Sequence, residues 1–285
     1  MVRNSLQKVV LLNFLLARNR FRTNYNATFL WDSSGLRRIF SSINFSFSYN
    51  FSNGCKGLTS LHLPNVEIIG TRNFSGCTEL TSIDLPKAKT IEPQAFHGCT
   101  GLTSINLPNA TTVSGFDECT GLTSIDLPNA TTVNGFDRCT GLMSIDLPNV
   151  TTVGCFNSCT GLTSINLPKA ETIYAGAFYG CTGLTSINLP NAKTIGETAF
   201  TKCTALKSIV LPKTENIGYH AFSDCNILTS VYMPNIVYLI HTIYDYHALE
   251  NWCVDHASTD DTYSWTCASG EKCVKTTPSA QPVCQ

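Results

Sequence analysis

Apolar side chains recur along most of this chain in blocks of 20 or 22 residues. Each block carries a Leu, an Ile three residues later and a Leu two residues after that. Ala or Val, then Ile or Val, and finally Phe follow. One block places these side chains at Leu102, Ile105, Leu107, Ala110, Val113 and Phe116. The two-residue step from Ile to Leu puts both side chains on one face of a strand, so the pattern predicts a short strand in every block.

A proline follows the second Leu of the block and ends the predicted strand, because proline has no N–H to donate. No block contains an apolar pattern long enough for an α-helix, so the return path is predicted to be a short strand or a 3₁₀ turn. A single block buries too little apolar surface to offset the entropy of ordering its backbone. Successive blocks must therefore stack into a solenoid with one continuous core.

Cysteines mark the block boundaries with spacings of 22, 22, 20, 20, 20, 22, 22 and 22 residues. They are Cys55, Cys77, Cys99, Cys119, Cys139, Cys159, Cys181, Cys203 and Cys225. A weaker copy of the block, Ser33 to Ile39, begins 22 residues before Cys55 and lacks both the thiol and the Leu-Pro step. Terminal repeats of solenoids are atypical, so this copy is counted as a coil and about ten coils are predicted.

The domain organisation follows from where the repeat begins and ends. The solenoid is predicted to span residues 33–246, with residues 33–54 as a degenerate N-terminal cap repeat. Residues 1–32 are predicted to be a signal-like or capping segment. Residues 247–285 are predicted to be a Cys-containing C-terminal cap or tail.

The consensus Cys-x-x-Leu-x-x-Ile-x-Leu-Pro-x-Ala/Val-x-x-Ile-x-x-x-Ala-Phe-x-x-Cys is seen from Cys77 to Cys99 and from Cys181 to Cys203. It resembles the BspA-like class of leucine-rich repeats over about three quarters of the chain. The resemblance implies a right-handed β-rich solenoid or horseshoe with a parallel sheet on its concave side. It also implies a surface-exposed or secreted microbial protein that adheres to, or binds, other proteins.

Positions on either side of the inward Ile point away from the core. The residue before it is Ser in every full block, and the residue after it is Asp or Asn in six blocks. Stacking predicts a Ser column beside an Asp/Asn column on the concave sheet. The predicted ligand-binding residues are Ser82, Asp84, Ser104, Asn106, Ser124, Asp126, Ser144, Asp146, Ser164, Asn166, Ser186 and Asn188. A rigid polar face suits protein or glycan recognition, although repeat duplication alone would also leave short polar residues on a solvated sheet.

The block cysteines are predicted to be small buried hydrophobes with weak S–H donors rather than disulfides. Equivalent residues of adjacent coils have parallel side chains with Cβ atoms about 5 Å apart, outside the usual range of roughly 3.5–4.5 Å for a bridge. Cys155 lies off this ladder, where sister blocks have Gly115 and Gly135, and the pattern does not explain it.

Four further cysteines lie outside any repeat in a polar tail, and they suggest two disulfides and an oxidising compartment. The disulfide candidates are Cys253, Cys267, Cys273 and Cys284, for which three pairings are possible. A metal site using His247, Cys253 and His256 is the rival, but no pair of tail cysteines has the C-x₂₋₄-C spacing of a zinc knuckle. We expect no metal and no cofactor.

The N-terminus combines Arg3 and Lys8, the apolar stretch Val9 to Ala17, and three further arginines up to Arg22. This order resembles a secretory signal. A transit peptide, or an N-terminal helix packed on the first coil, are the alternatives. No apolar run reaches the roughly 18 residues needed to span a bilayer, so no membrane span is predicted. The expected location is extracellular or at the cell surface, with a cytoplasmic protein as the alternative.

Composition narrows the function. Charged residues make up only 14% of the chain and the net charge is −1, which argues against nucleic-acid binding because neutralising phosphates needs clustered Lys and Arg. None of the common hydrolase, kinase, zinc-protease or nucleotide-binding motifs occurs, so an enzyme is not expected. We predict a monomeric, non-catalytic adhesion protein that binds a host or matrix protein or glycoprotein. An intracellular scaffold is the alternative, and ice binding by columns such as Thr103, Thr123 and Thr163 is a third.

Overall fold

The computed structural model describes residues 57–235 continuously, together with the backbone of short strands before and after them. The chain divides into two compact units, Met1–Ala130 and Thr131–Gln285. Both units are built from stacked coils of parallel strands, and the described residues contain no helix. The predicted leucine-rich-repeat solenoid is confirmed.

Each coil contains two strands, as the block from Cys99 illustrates. Its first strand, Ser104–Asn106, ends at the Leu-Pro step, where the N–H of Ala110 donates to the carbonyl of Leu107 at 3.1 Å. The second strand, Thr112–Val113, is the return path, and a turn around Phe116 brings the chain to the next coil. Of the two predicted return paths, the short strand is the one that forms.

The first unit contains ten strands. They are β1 (Val9–Leu11), β2 (Ala27–Asp32), β3 (Gly35–Ser41), β4 (Ser60–His62), β5 (Ile68–Ile69), β6 (Ser82–Asp84), β7 (Thr90–Ile91), β8 (Ser104–Asn106), β9 (Thr112–Val113) and β10 (Ser124–Asp126). First strands form the sheet β1-β2-β3-β4-β6 and the pair β8-β10. The second strands β5, β7 and β9 pair in parallel, with Ile69 opposite Ile91 and Ile91 opposite Val113.

The N-terminal strands connect to the coils through β3. Strands β1, β2 and β3 pair antiparallel, and β3 then pairs parallel with β4. Ile39 lies opposite Leu61, the inward position of the first full coil, which is the alignment of the degenerate repeat. Val9–Leu11 form a strand, so the helix considered for this segment does not form there. The boundaries 1–32 and 33–54 stay predictions.

The second unit contains fourteen strands. They are β11 (Thr132–Val133), β12 (Ser144–Asp146), β13 (Thr152–Val153), β14 (Ser164–Asn166), β15 (Thr172–Ile173), β16 (Ser186–Asn188), β17 (Thr194–Ile195), β18 (Ser208–Val210), β19 (Asn216–Ile217), β20 (Ser230–Tyr232), β21 (Cys253–His256), β22 (Ser264–Cys267), β23 (Lys272–Val274) and β24 (Val283–Cys284). First strands form β12-β14 and β16-β18-β20, and the second strands β11 to β19 pair in parallel. The last four strands form an antiparallel sheet.

The ladder of first strands is interrupted within each unit, which a single predicted sheet did not anticipate. In the first unit β6 and β8 belong to different sheets, and in the second unit β14 and β16 do. Both interruptions fall where coil length changes between 22 and 20 residues. A change in coil length shifts the strand relative to its neighbour, and backbone hydrogen bonds do not tolerate such a shift.

Phenylalanine side chains form the centre of the core. In the first unit Phe96 stacks between Phe74 and Phe116, with ring centroids 5.4 and 5.1 Å apart. In the second unit the stack runs through Phe136, Phe156, Phe178, Phe200 and Phe222, with centroid separations of 5.2 to 5.7 Å. The block Leu side chains are almost wholly inaccessible to water. This core holds the outward-facing residues of the first strands in a fixed array.

Candidate recognition surface

The outward residues of the first strands form columns in the first unit. Ser104 lies opposite Ser124, and Asn106 lies opposite Asp126. The Ile between each Ser and Asp/Asn faces the core, whereas its two neighbours are exposed. The strands Ser60–His62 and Ser82–Asp84 pair in the same register. We call these exposed side chains, together with their counterparts in the second unit, the Ser/Asp/Asn face.

The second unit continues the pattern in its own coils. Ser144 lies opposite Ser164, and Asp146 lies opposite Asn166. Further along, Ser186 pairs with Ser208, but Asn188 meets Val210, so the amide column ends there. All twelve residues predicted to bind ligand are exposed and lie in these strands. That they bind a ligand, and that the face is concave, stay predictions.

Side chains of the Asp/Asn column bond along the column. The Nδ1 atom of His62 lies 2.5 Å from a carboxylate oxygen of Asp84. In the second unit, the amide of Asn166 donates to Asp146 at 2.9 Å. Neighbouring coils therefore orient these acceptors and donors before any partner arrives. Pattern reasoning left His62 off the set of binding residues, and its place directly after an inward Leu was the signal that it belongs there.

The threonine column beside the serines is occupied by backbone interactions. The hydroxyls of Thr81, Thr123 and Thr163 each donate at 3.0 Å to a carbonyl oxygen of the preceding coil. Met143 interrupts the column with a side chain that is 57% exposed. The ordered, flat array of outward hydroxyls that ice binding requires is therefore not formed here.

Lysines border the face at the position after the Leu-Pro step. The ammonium groups of Lys87, Lys169 and Lys213 donate to asparagine side chains of the preceding coil at 2.7 to 2.9 Å. Beside the second strands, Lys193 lies 2.8 Å from Glu171, lowers the pKa of that carboxyl and has its own pKa raised by it. Both groups are exposed, so such pairs contribute little stability.

The ladder cysteines within the described residues are buried and free, as predicted. Cys99 donates its S–H to the carbonyl of Phe74 at 3.2 Å, and Cys181 donates to that of Phe156 at 3.1 Å. The other ladder cysteines with this bond to a preceding phenylalanine carbonyl are Cys119, Cys159, Cys203 and Cys225. The thiol thus satisfies a buried carbonyl between coils. Cys55 lies outside the described residues.

Cys155, which the repeat pattern left unexplained, serves the same purpose. Its side chain is buried and donates to the carbonyl of Val133 at 3.2 Å, and its own carbonyl accepts the N–H of Phe136 at 3.2 Å. It replaces the glycine of sister coils by filling the space with a small thiol that has a partner.

Burial makes the ladder thiols unreactive. Desolvation raises the pKa of Cys181 from an ordinary 9.0 to about 12, and that of Cys119 and Cys225 likewise to about 12. At about pH 8 the thiolate fraction of Cys181 should be roughly 1,000-fold below that of an ordinary thiol. We expect iodoacetamide to label Cys181 in native protein at least that much more slowly than in urea, as measured by peptide mass spectrometry. Equal rates would contradict this.

Metal and membrane chemistry find no support in the described part of the chain. No cluster of three or more His, Cys, Asp or Glu side chains is present among residues 57–235 that could hold an ion. Of the alternative metal ligands, His247 lies outside the described residues. Within those residues, no helix has the length and apolarity to cross a membrane.

The period, the strand register and the buried Leu, Ile, Phe and Cys positions together define the repeat. The family model of the BspA type leucine rich repeat region matches six copies, over residues 46–154 and 132–250. The chain belongs to this family. BspA-type repeats thus account for most of its length, and the family resemblance drawn from the consensus is confirmed. No curated protein is similar enough to the chain to count as a relative.

Solved leucine-rich repeat structures resemble this BspA-type chain. A leucine-rich repeat protein from Bacteroides ovatus is 18% identical, covering 79% of this chain and 90% of its own, with a TM-score of 0.38. The leucine-rich repeat protein of T. pallidum is 24% identical over 66% of this chain and 72% of its own, with a TM-score of 0.31. An internalin from Listeria monocytogenes is 14% identical over 71% and 68%, with a TM-score of 0.35.

Proposed function

We propose that this BspA-type protein is a non-catalytic recognition protein, secreted or displayed on the cell surface, that binds a partner protein or glycoprotein through the Ser/Asp/Asn face. The observation that carries the proposal is the register of the first strands, which places exposed Ser opposite Ser and exposed Asp or Asn opposite Asp or Asn within each unit. Regular, outward hydrogen-bonding groups on a rigid sheet are suited to an extended partner surface.

Preorganisation supports binding by this face. Short Ser, Asp and Asn side chains lose little rotamer entropy on binding, and contacts such as Asn166 to Asp146 already hold them in place. Buried inward residues such as Ile105 and Ile145 anchor the strand beneath. The carboxylates favour a partner with basic or hydroxyl-rich groups, and opposite charge speeds encounter.

Charge reversal tests the proposal. The double variant Asp126→Lys with Asp146→Lys should weaken binding to a responsive partner at least tenfold, because both carboxylates lie exposed in the Asp/Asn column. The probes are immobilised collagen, laminin and fibronectin, as representative matrix proteins, and cultured-cell surfaces, with affinity measured by surface plasmon resonance or cell binding.

A matched control separates the face from net charge. Glu197→Lys with Glu215→Lys changes the charge by the same amount at exposed positions beside the second strands. It should leave binding within about twofold, since rim charges far from a contact act mainly on association rate. Absence of binding to every probe, or equal loss in both double variants, would overturn the proposal.

An intracellular scaffold of the same fold remains the second candidate. It would use the same face and differ in redox compartment, because cytosolic thiols stay reduced. The state of the tail cysteines in native material therefore separates the two.

A further inference from the structure

The strand register of the C-terminal sheet places the four tail cysteines in two facing pairs. Strands β21 and β22 pair antiparallel with Cys253 opposite Cys267. Strands β23 and β24 pair antiparallel with Cys273 opposite Cys284. The order of strands in the sheet is β21-β22-β23-β24, so each facing pair occupies neighbouring strands.

All four positions fall on one face of this sheet. Trp265 lies opposite Cys273, and Trp265 is two residues from Cys267 on the same strand. Residues two apart on a strand, and residues directly opposite on neighbouring strands, share a face. Cys253 and Cys284 belong to that face through their partners. The sheet therefore sorts the cysteines by distance alone.

We infer that the tail carries two disulfides, Cys253–Cys267 and Cys273–Cys284. Directly opposite residues of antiparallel strands have Cα atoms about 4.5–5.5 Å apart, within the roughly 4.4–6.8 Å of a disulfide. Of the three pairings that the sequence allows, this one joins neighbouring strands at facing positions in both bonds.

The other two pairings do not fit this register. Joining Cys253 to Cys273 and Cys267 to Cys284 needs bonds across two strand spacings, about 10 Å before any offset along the strand. Joining Cys253 to Cys284 needs three spacings, about 14 Å. Its companion bond, Cys267 to Cys273, lies on a diagonal of about 8 Å. A disulfide does not reach across more than about 7 Å between Cα atoms.

The bonds form by thiol–disulfide exchange. Each pair of thiols loses two protons and two electrons, and a small disulfide oxidant of the glutathione class accepts them and leaves as two thiols. The resulting staples hold strands of two to four residues that are too short to supply a core of their own. This inference shares with the proposed function only the oxidising compartment, and its test needs no binding partner.

Alkylation before reduction counts the bonds. Full-length protein folded in a glutathione redox buffer, and protein secreted into medium, is unfolded in guanidinium with iodoacetamide and no reductant. Intact mass should show ten of the 14 cysteines alkylated, and all 14 after reduction. Fourteen alkylations before reduction in redox-buffer protein would overturn the inference, and a bound zinc ion per chain would do so in favour of a metal site. If only secreted protein showed 14, the proposed compartment would fail and the connectivity would stand.

Trypsin reads the connectivity directly. It cuts after Lys272 and after Lys275, so the predicted bond joins the peptides 273–275 and 276–285. Either rejected pairing instead links peptide 276–285 to the long peptide 214–272. The other bond is read with Asp-N protease, which cuts before Asp255 and Asp260 and leaves Cys253 and Cys267 on separate linked peptides. Cys284→Ser should raise the alkylations before reduction from ten to eleven, by freeing Cys273 while the other bond persists; twelve would contradict independent pairs.

Discussion

Replacing Phe178 with alanine is expected to lower the free energy of unfolding by about 4 kcal/mol. The side chain is fully buried, and its ring stacks between Phe156 and Phe200 with centroids 5.7 and 5.2 Å away. Alanine removes the apolar transfer energy, leaves a cavity and breaks two aromatic contacts at once. Because each coil is stable only against its neighbours, the loss acts on both adjacent coils. Urea unfolding followed by circular dichroism measures it.

Two companion variants separate the contributions at this position. Phe178→Leu keeps most of the apolar volume and loses the ring stack, so its cost should be about 1–2 kcal/mol. Phe222→Ala removes a ring at the end of the described stack, which is slightly exposed, and should cost less than Phe178→Ala. A loss below about 1 kcal/mol for Phe178→Ala would show that the phenylalanine stack does not hold the coils together.

Replacing Gly121 with alanine is expected to cost about 2 kcal/mol. A Cβ atom built on Gly121 would lie 2.3 Å from the carbonyl oxygen of Thr100 in the preceding coil. That oxygen is backbone, so relief requires one coil to move away from the other. The same close approach occurs at Gly161, whose Cβ would lie 2.5 Å from the carbonyl of Thr140. Thermal and urea unfolding of the variant measure the cost.

Gly98 supplies the control for backbone conformation. It has a φ of +68° and no atom within 4 Å of an added Cβ, so Gly98→Ala should cost about 1 kcal/mol from conformation alone. Gly121 carries the opposite combination, a crowded Cβ position without a positive φ. A larger loss at Gly98 than at Gly121 would contradict the steric explanation. Ala205 occupies the Gly121 position in a later coil, so the crowding depends on local coil spacing.

Much of the recognition surface was predictable because the repeat turns a fold problem into a local one. The step from Ser104 through Ile105 to Asn106 already states which side chain is buried and which two are exposed. Parallel stacking of nearly identical blocks then aligns like with like, and the observed register of Ser104 opposite Ser124 follows. The side-chain bond from His62 to Asp84 was not predictable, because it depends on how closely two coils approach.

The amino-acid sequence by itself determined the repeat period, the two alternating faces of each first strand, and the burial of the Leu, Ile, Phe and ladder Cys side chains. These features depend on spacings within one block, which the chain states directly. Only the tertiary structure decided where the first-strand ladder is interrupted, what Cys155 bonds to, and which tail cysteines face each other. Those outcomes depend on the register between strands, and a one-residue shift, invisible in composition, would reassign every partner.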